Sequence, residues 1–464
     1  MRGFPAIAPS ESHRVRRWDA VILGGALPGL VAAIRIAKAG CRVLLVEEDA
    51  GEEVFAGLRE PFHLTSPGAD HVLGGLLREL GVSLIDQRRV IQQREGLQIA
   101  LPNARIDIGP STTLVDELAA WQLAAPAESR DVLRALEEAG ARERRALLLA
   151  PLVRAGRRRP FSSARIARGL AAIEEEPGRG MPRALAESPR ALRLICDILV
   201  RALGNHARRA PSSEASARLL GSALEGSYFV SGGGGLRAIL MHRLETLGVD
   251  RRKVPGDLRF VSVANQPGLS PTHTEEIWTG RALLLNAPAG ALSAATAGEL
   301  PAALNLAPST HERVSLHFLT AREFLPESMG DRVIAVTNPA DPVGEDLICV
   351  RTFPGEGAAA HIVASAVVPR DKDPRPAIEQ CVRKLLPFQE QTLQRQPLPE
   401  LRWDHDADLE DLPHSAGWPD EVELRLSSRP LVYAIDRRAI ASLGFEGDLL
   451  LGWRAGQAIA AELQ

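Results

Sequence analysis

The glycine-rich turn near the N-terminus constrains the fold of this chain more than any other sequence feature. An apolar, strand-like run leads into the turn at Gly24, an Ala-, Ile- and Leu-rich segment continues to Gly40, and a second apolar run leads to Glu47. Strand, turn, helix, strand and acid in this order are typical of a dinucleotide-binding βαβ unit. In such a unit, glycines let backbone amides approach a pyrophosphate and the acid accepts hydrogen bonds from a ribose.

The turn departs from the usual pattern at one position. Gly24 and Gly29 occupy the first and third positions of G-x-G-x-x-G, whereas Ala26 occupies the second, where its methyl group would face the pyrophosphate. Glu47 follows Gly24 by 23 positions, near the usual spacing. We therefore predict a dinucleotide-binding type of fold. Ala26 leaves two interpretations open, a tolerated variant or a loss of nucleotide binding.

The composition is typical of a soluble globular protein. The 464 residues are 45% hydrophobic and 24% charged, with a net charge of −3. This length suffices for about three average domains or for two interleaved ones. The near-neutral charge gives no reason to expect a nucleic-acid partner.

Cysteine usage and the N-terminus bear on the cellular compartment. The four cysteines are widely separated and form no C-x-x-C pair, so neither a zinc site nor a redox pair is indicated, and a reducing compartment fits. No apolar run reaches the length of about 18 residues that a membrane helix needs, and residues 1–17 lack the apolar centre of a secretory signal. We expect a cytoplasmic protein whose residues 1–17 form a disordered tail.

Hydrophobic periodicity predicts the elements along the chain. An amphipathic helix is expected at about 72–80, followed by short strands between 88 and 108. Residues 111–222 are predicted to be mostly helical, with Pro and Gly at the joints. Alternation of apolar and polar residues at 313–370 predicts antiparallel strands, with a helix near 376–386 after them.

Two charged segments each have two interpretations. The segment from Arg154 to Arg168 carries six arginines that could contact an anionic partner or a membrane surface, but the acids at 174–176 favour a solvated, charge-balanced helical face. The segment 404–414 concentrates His and acidic residues without defined ligand spacing, which favours a solvated loop over a metal site. No pattern of nucleophile and base singles out catalytic residues.

A second glycine-rich segment, Gly232 to Gly235, cannot form a packed strand and is predicted to open a helix at about 236–247. A flexible linker is the alternative, but a linker would not precede a periodic helix. The following residues are predicted to form a strand, a hairpin and a buried strand that ends at Asn286.

The segments VILGGALPGLVAAIRIAKAGCRVLLVEE, YFVSGGGGLRAILMHRLETLGV and RALLLNAPAGAL, in this order, resemble the phytoene desaturase-like branch of the flavin amine oxidase superfamily. The resemblance implies an α/β fold with FAD as cofactor and a small molecule as substrate. A discontinuous Rossmann-like FAD/NAD(P)-binding domain would comprise residues 18–110, 223–310 and 425–464, with residues 445–464 packed on the first βαβ unit. An inserted α+β substrate domain of helices and antiparallel sheet would comprise residues 111–222 and 311–424.

By the same resemblance, the cofactor-binding residues would be Gly24, Gly25, Ala26, Leu27, Pro28, Gly29, Glu47, Glu48, Arg59, Gly452, Trp453, Gly456 and Gln457. The glycine turn would face the FAD pyrophosphate, Glu47 the adenosine ribose, and the second glycine segment the flavin or the substrate path. Two departures stand out. The family's Gly-Gly-Arg segment has only Gly57 and Arg59 as loose counterparts. Leu449 to Leu451 resemble the family's C-terminal strand and Ala455 to Leu463 its helix, but the loop between them is shortened and lacks its acid.

Two function classes follow. The first is an FAD-dependent oxidoreductase, of desaturase, dehydrogenase or amine-oxidase type, that acts on an apolar or amine-bearing small molecule by hydride transfer to flavin. The second is a redox-inactive binding or scaffold protein that keeps the fold and binds another protein, as in the Rab GDP-dissociation inhibitors that the superfamily resembles. Persistence of Glu47 and of both glycine segments favours the enzyme, whereas Ala26 and the shortened C-terminal loop favour the scaffold. A homo-oligomer is compatible with either class.

Overall fold

The computed structural model describes most of the chain in twelve stretches. They are residues 14–49, 71–93, 96–150, 179–204, 211–225, 228–230, 232–287, 310–340, 344–387, 393–398, 422–435 and 443–464, with a few shorter pieces and single residues (4, 6, 62, 64–65, 153–154, 164, 168, 171–172, 292–293, 295–296, 342, 403 and 408–409).

Strands and helices are numbered along the chain. The strands are β1 Arg14–Leu23, β2 Val43–Glu48, β3 Leu64–Thr65, β4 Ile91–Gln93, β5 Leu97–Leu101, β6 Ala104–Ile108, β7 Val153–Arg154, β8 Tyr228–Val230, β9 Asp250–Val254, β10 Leu258–Val263, β11 Gln266–Pro271, β12 Glu276–Leu285, β13 His311–Ala321, β14 Arg332–Val336, β15 Leu347–Pro354, β16 Ala359–Pro369, β17 Gln394–Gln396, β18 Asp408–Leu409, β19 Val422–Glu423, β20 Arg425–Ser428 and β21 Leu431–Ala434. The helices are α1 Leu27–Lys38, α2 Val72–Glu79, α3 Leu84–Val90, α4 Ser111–Ala120, α5 Pro126–Leu149, α6 Arg183–Glu187, α7 Arg190–Leu203, α8 Ser213–Leu224, α9 Gly232–Thr246, α10 Arg375–Leu385 and α11 Gly444–Leu463.

The first sheet is organised around β1, which has a parallel neighbour on each side. Its parallel strands lie in the order β21, β12, β1, β2 and β9, and β10, β11 and β20 add antiparallel strands at one side. The chain continues from β1 to β2 on one side while β12 lies on the other. Such a switch point, at the carboxyl ends of the strands, is where open α/β sheets bind ligands.

Helix α1 connects β1 to β2 and buries nearly all of its small and branched residues. Pro28 occupies its first turn, where a missing N–H costs nothing, and Gly40 follows its end with φ +88°, a conformation that favours glycine. Its buried face packs with β1, β2 and β12 through residues such as Ile22, Leu45 and Leu284. The βαβ unit predicted from the sequence is therefore confirmed.

The last helix, α11, packs along α1 in the same direction. A Cβ at Gly452 would clash with the carbonyl oxygen of Pro28, and one at Gly456 would lie 2.7 Å from the Cβ of Arg35. At the other end, the Gln464 side chain donates to the carbonyl of Ala39 at 3.0 Å. The predicted packing of residues 445–464 on the first βαβ unit is confirmed.

The second sheet lies in the order β17, β13, β16, β15, β14, β5 and β6, with β18 also paired to β13. Every pair is antiparallel except β14 with β5. Helix α10 covers one face through Ile378 and Val382, and α4, α5, α7 and α8 form a helical layer whose apolar residues cluster with the opposite face. The predicted antiparallel strands at 313–370 and the helix near 376–386 are confirmed.

The structure corrects three expectations. Residues 14–17 were expected to belong to a disordered tail. They instead form the first part of β1, because the backbone of Glu276 to Thr279 in β12 pairs with them. Strands β5 and β6, placed in the nucleotide domain, pair with β14 and belong to the second sheet. Leu449 to Leu451, expected as a strand, lie in the middle of α11, because three leucines fit a buried helix as well as a buried strand.

Candidate functional site

The glycine turn at the end of β1 has a backbone conformation that depends on Gly24. Gly24 has φ +106°, and its N–H donates to the carbonyl of Val46 at 2.9 Å. A Cβ at Gly24 would lie 2.6 Å from the carbonyl oxygen of Asn286, the residue after β12. The side-chain amide of Asn286 donates to the carbonyls of Gly24 and Ala26 at 3.2 and 3.1 Å. Two neighbouring strands thus hold the turn in one shape.

The N-terminus of α1 has the features of a binding site for a negatively charged group. Its N-cap residue, Ala26, has no side-chain hydrogen bond to offer, and the first turn contains no acid. Among the residues that the structure describes, the amides of Ala26 and Leu27 have no acceptor. Such amides, together with the helix dipole, favour an anion.

Glu47 lies directly beside this turn. It is the fifth residue of β2, and its side chain is only 3% exposed. A Cβ at Gly25 would lie 2.5 Å from Glu47 Oε1, so the glycine is what lets the carboxylate approach the backbone. The glycine turn and the acid of the βαβ unit are therefore in direct contact.

Two arginines hold the Glu47 carboxylate. Arg237 of α9 donates through Nη2 to Glu47 Oε1 at 2.6 Å and through Nη1 to the carbonyl of Gly25 at 2.6 Å. Arg251 of β9 donates to Oε2 through Nε and Nη2 at 3.0 and 2.8 Å. One carboxylate charge therefore faces two guanidinium charges.

The first turns of α11 extend beyond the start of α1 and carry a second buried ion pair. Gly452 lies beside Pro28, so the eight residues before it project about 12 Å past the start of α1. Glu446 accepts from Arg218 Nη1 of α8 at 2.9 Å and from the hydroxyl of Thr65 at 2.9 Å. Burial lowers the pKa of Arg218, and the charge of Glu446 opposes that shift.

The remaining predicted cofactor residues are not all brought to the turn. Gly452 and Gly456 face α1, which gives them a packing role, and Gln457 is exposed. The Trp453 ring lies under the guanidinium of Arg454, 5.4 Å from its centroid. Gly452 lies beside Pro28 in the first turn of α1, whereas Gly456 lies beside Ala32 and Arg35 farther along the helix.

Of the remaining predicted positions, Glu48 and Gly232 to Gly235 lie within the described residues. Glu48, the last residue of β2, accepts a hydrogen bond from the backbone amide of Trp403 at 2.9 Å. Gly232 to Gly235 form the first turn of α9, so the predicted helix starts four residues earlier than expected. Arg59 lies outside the described residues, as do most of the segments from Arg154 to Arg168 and 404–414.

Sequence reasoning missed Arg237 and Arg251. Both follow the second glycine segment, and Arg237 comes two residues after Gly235. Arg251 could have been found from the sequence if β9 had been predicted as the parallel neighbour of β2. A strand in that position presents its side chains near Glu47.

A second polar group lies on the sheet face opposite α10. His317 Nε2 and His361 Nδ1 are 2.9 Å apart, and the Phe353 ring stacks on His361 with centroids 5.1 Å apart. Burial, with a smaller effect of His361, lowers the pKa of His317 to about 4. This group shares no residue with the glycine turn.

A cavity of about 1110 Å³ lies between the second sheet and helices α4 and α10. Its wall includes Arg105, Asp107, Glu117, Trp121 and Lys384, and none of the residues of the glycine turn. We assign the cavity no role in dinucleotide binding.

Neither a metal-binding cluster nor a membrane-spanning helix occurs among the described residues. No group of three or more His, Cys, Asp or Glu side chains there could hold a metal ion. Within the same stretches, no helix has both the length and the apolar character that crossing a bilayer requires.

Comparison with known proteins identifies the fold. No protein-family model matches the sequence, and no curated protein matches it either. Solved structures similar to this chain include putrescine oxidase bound to putrescine, with 14% identity, a TM-score of 0.53 and coverage of 97% of this chain and 100% of that one. Cyclohexylamine oxidase from Brevibacterium oxydans has 13% identity, a TM-score of 0.50 and coverage of 96% and 99%. Rab GDI from Plasmodium falciparum has 10% identity, a TM-score of 0.51 and coverage of 95% and 98%. The chain therefore has the mixed α/β fold shared by these amine oxidases and Rab GDI.

Proposed function

We propose that this chain is an FAD-dependent oxidoreductase of the amine-oxidase type that acts on a small molecule. The observation that supports this most is the contact between Glu47 and the glycine turn, in which a carboxylate lies against Gly25 beside amides that lack an acceptor. A protein that used the fold only as a scaffold would need neither the buried acid nor the open amides. The fold of putrescine oxidase and cyclohexylamine oxidase supports the same class.

The residues present fit a dinucleotide. The amides of Ala26 and Leu27 would donate to the pyrophosphate, and Glu47, whose carboxylate has about four lone-pair positions and uses three for the arginines, would accept from a ribose hydroxyl. A bound flavin would supply the two-electron oxidation by accepting a hydride from the substrate. The chain itself would bind both molecules and exclude water.

The order of the two glycine segments supports the phytoene desaturase-like branch as the finer assignment. For a member of that branch, the proposed substrate is an apolar or amine-bearing compound. The proposed location of the protein is the cytoplasm. The roles of Glu48, Arg59 and Trp453 at the cofactor are part of the same proposal.

A redox-inactive binding protein is the second candidate. The likeness to Rab GDI favours it, and so does the carboxylate of Glu47, which is already held by Arg237 and Arg251 without any ligand. In that case the chain would bind another protein and the glycine turn would be structural.

Flavin binding separates the two candidates. Purified protein incubated with excess FAD should keep visible flavin absorbance through gel filtration, and its melting temperature should rise with FAD concentration. Ala26→Gly should tighten binding if the methyl group crowds the pyrophosphate. Glu245→Gln, which changes an exposed acid of α9, serves as the control and should leave FAD affinity unchanged.

Turnover tests the enzymatic part of the proposal. With FAD bound, a panel of primary amines and apolar alkenes should bleach the flavin absorbance anaerobically, and air should restore it. Absence of FAD binding by both wild type and Ala26→Gly would refute the oxidoreductase assignment and leave the binding protein as the better account.

A further inference from the structure

We propose that Arg237, supplied by the second glycine-rich segment, is a ligand of the cofactor's diphosphate. This inference rests on the proposed dinucleotide site and names a residue that its glycine turn alone does not identify. The position of the guanidinium is the first support. Nη1 lies 2.6 Å from the carbonyl oxygen of Gly25, within the turn itself, and Nη2 lies 2.6 Å from Glu47 Oε1.

Charge balance is the second support. Arg251 already pairs with Glu47 through two donors on one oxygen, which is enough to neutralise the carboxylate. Arg237 adds a second positive charge beside the open N-terminal amides of α1, whose first turn contains no acid. The trio of Glu47, Arg237 and Arg251 thus has one positive charge in excess, and a diphosphate would compensate it.

The remaining hydrogen-bonding capacity of Arg237 is the third support. A guanidinium has five N–H donors in a planar fork, and the contacts with Gly25 and Glu47 use two of them. The Arg237 side chain is 27% exposed, against 3% for Glu47, so Arg237 is the more accessible member of the pair.

The same contact gives a physical reason why Ala26 is tolerated. A methyl group in place of the second glycine keeps a phosphate farther from the backbone amides of the turn. A guanidinium that reaches the turn from α9 can bridge the longer gap, because it donates from a flexible side chain and can bind phosphate with two parallel N–H groups. Helix α9, which carries Arg237, packs on α1.

The test compares two arginine variants that both remove a partner of Glu47. Arg237→Gln and Arg251→Gln are purified and their melting temperatures are measured, and then FAD is titrated by fluorescence quenching and ADP by calorimetry. Arg237→Gln should raise the Kd of both ligands by about 10- to 100-fold, the effect of losing hydrogen bonds to a charged group. Arg251→Gln should change both by less than about threefold, since Arg251 donates to Glu47 Oε2, the carboxylate oxygen that Arg237 does not contact.

Adenosine distinguishes the diphosphate from the nucleoside. Arg237→Gln should leave the Kd of adenosine within about twofold of wild type. Arg237→Lys, which keeps the charge but not the fork, should give intermediate Kd values for FAD and ADP, and it replaces Arg237→Gln should that variant fail to fold.

Several outcomes would overturn the inference while leaving the proposed function intact. They are unchanged or tighter FAD and ADP binding by Arg237→Gln, equal losses in the Arg237 and Arg251 variants, and an equal loss of adenosine affinity. Failure of wild type to bind FAD while ADP still depends on Arg237 would instead refute the flavin cofactor and support the diphosphate contact. Failure of wild type to bind either ligand would refute both.

Discussion

Arg218 and Glu446, 228 positions apart in sequence, form an ion pair of 2.9 Å in which the side chains are only 2% and 1% exposed. The pair joins helix α8 of the helical layer to the start of α11, and Thr65 donates to the same carboxylate. Arg218 also donates to the carbonyl of Leu443. This network joins the helical layer to the helix that packs on α1.

Breaking this pair on one side should destabilise the protein strongly. Arg218→Met or Glu446→Gln should lower the free energy of unfolding by about 3–5 kcal/mol, because the remaining polar group is left buried without its partner. The double variant Arg218→Met/Glu446→Gln should cost less than the two single losses added together. Urea denaturation measures all three. Asp131→Asn, in an exposed pair with Arg134, is the control and should stay within about 0.5 kcal/mol of wild type. Additive losses would contradict the coupling.

Glu47 should matter for both cofactor binding and stability. Glu47→Ala removes the acceptor for a ribose hydroxyl, so FAD affinity should fall by about 1.5–3 kcal/mol. It also leaves two arginines without their shared carboxylate, so the melting temperature should fall. Fluorescence titration and thermal denaturation measure the two effects. Wild-type FAD affinity in this variant would mean that Glu47 serves only to pair Arg237 and Arg251.

The contact between α1 and α11 should not tolerate added methyl groups. Gly452→Ala and Gly456→Ala should each cost about 1–3 kcal/mol, because the new Cβ meets the backbone of α1 near Pro28 and Ala32. Gly109→Ala is the matched control, since its Cβ would find neighbours no nearer than 3.9 Å. Equal denaturation midpoints for Gly452→Ala and Gly109→Ala would show that the helices can move apart freely.

His317 should make stability depend on pH. Burial and the neighbouring His361 lower its pKa to about 4 in the folded protein, below the value near 6.5 in the unfolded chain. The unfolded state therefore binds the extra proton between these values, and stability falls as the pH falls from about 6.5 to about 4. The full loss is about 3 kcal/mol. The free energy of unfolding, measured by urea denaturation across this pH range, should change less with pH in His317→Gln than in wild type. The control His242→Gln, which changes an exposed histidine, should show the same pH dependence as wild type.

Local patterns in the sequence were enough to predict the βαβ unit. The spacing from Gly24 to Glu47 is set by one strand, one turn and one helix, so neighbours in sequence determine the contact between turn and acid. The helix after Gly232 and the antiparallel strands at 313–370 were predictable for the same reason, because periodicity of 3.6 or 2 residues is a local property.

Contacts between distant segments could not be predicted in this way. Leu449 to Leu451 form an apolar run that fits a strand or a buried helix, and only packing on α1 through Gly452 and Gly456 selects the helix. Strands β5 and β6 carry no local signal of which sheet they join, since pairing with β14 depends on partners more than 200 residues away.

Local sequence signals alone predict that the glycine turn and the carboxylate follow neighbouring parallel strands. The charge of that site depends on the tertiary fold, because Arg237 and Arg251 reach Glu47 from positions 190 and 204 residues later in the chain. Side chains so far apart are brought together by the parallel pairing of β2 with β9 and by the packing of α9 on α1, and neither contact is encoded in a local pattern.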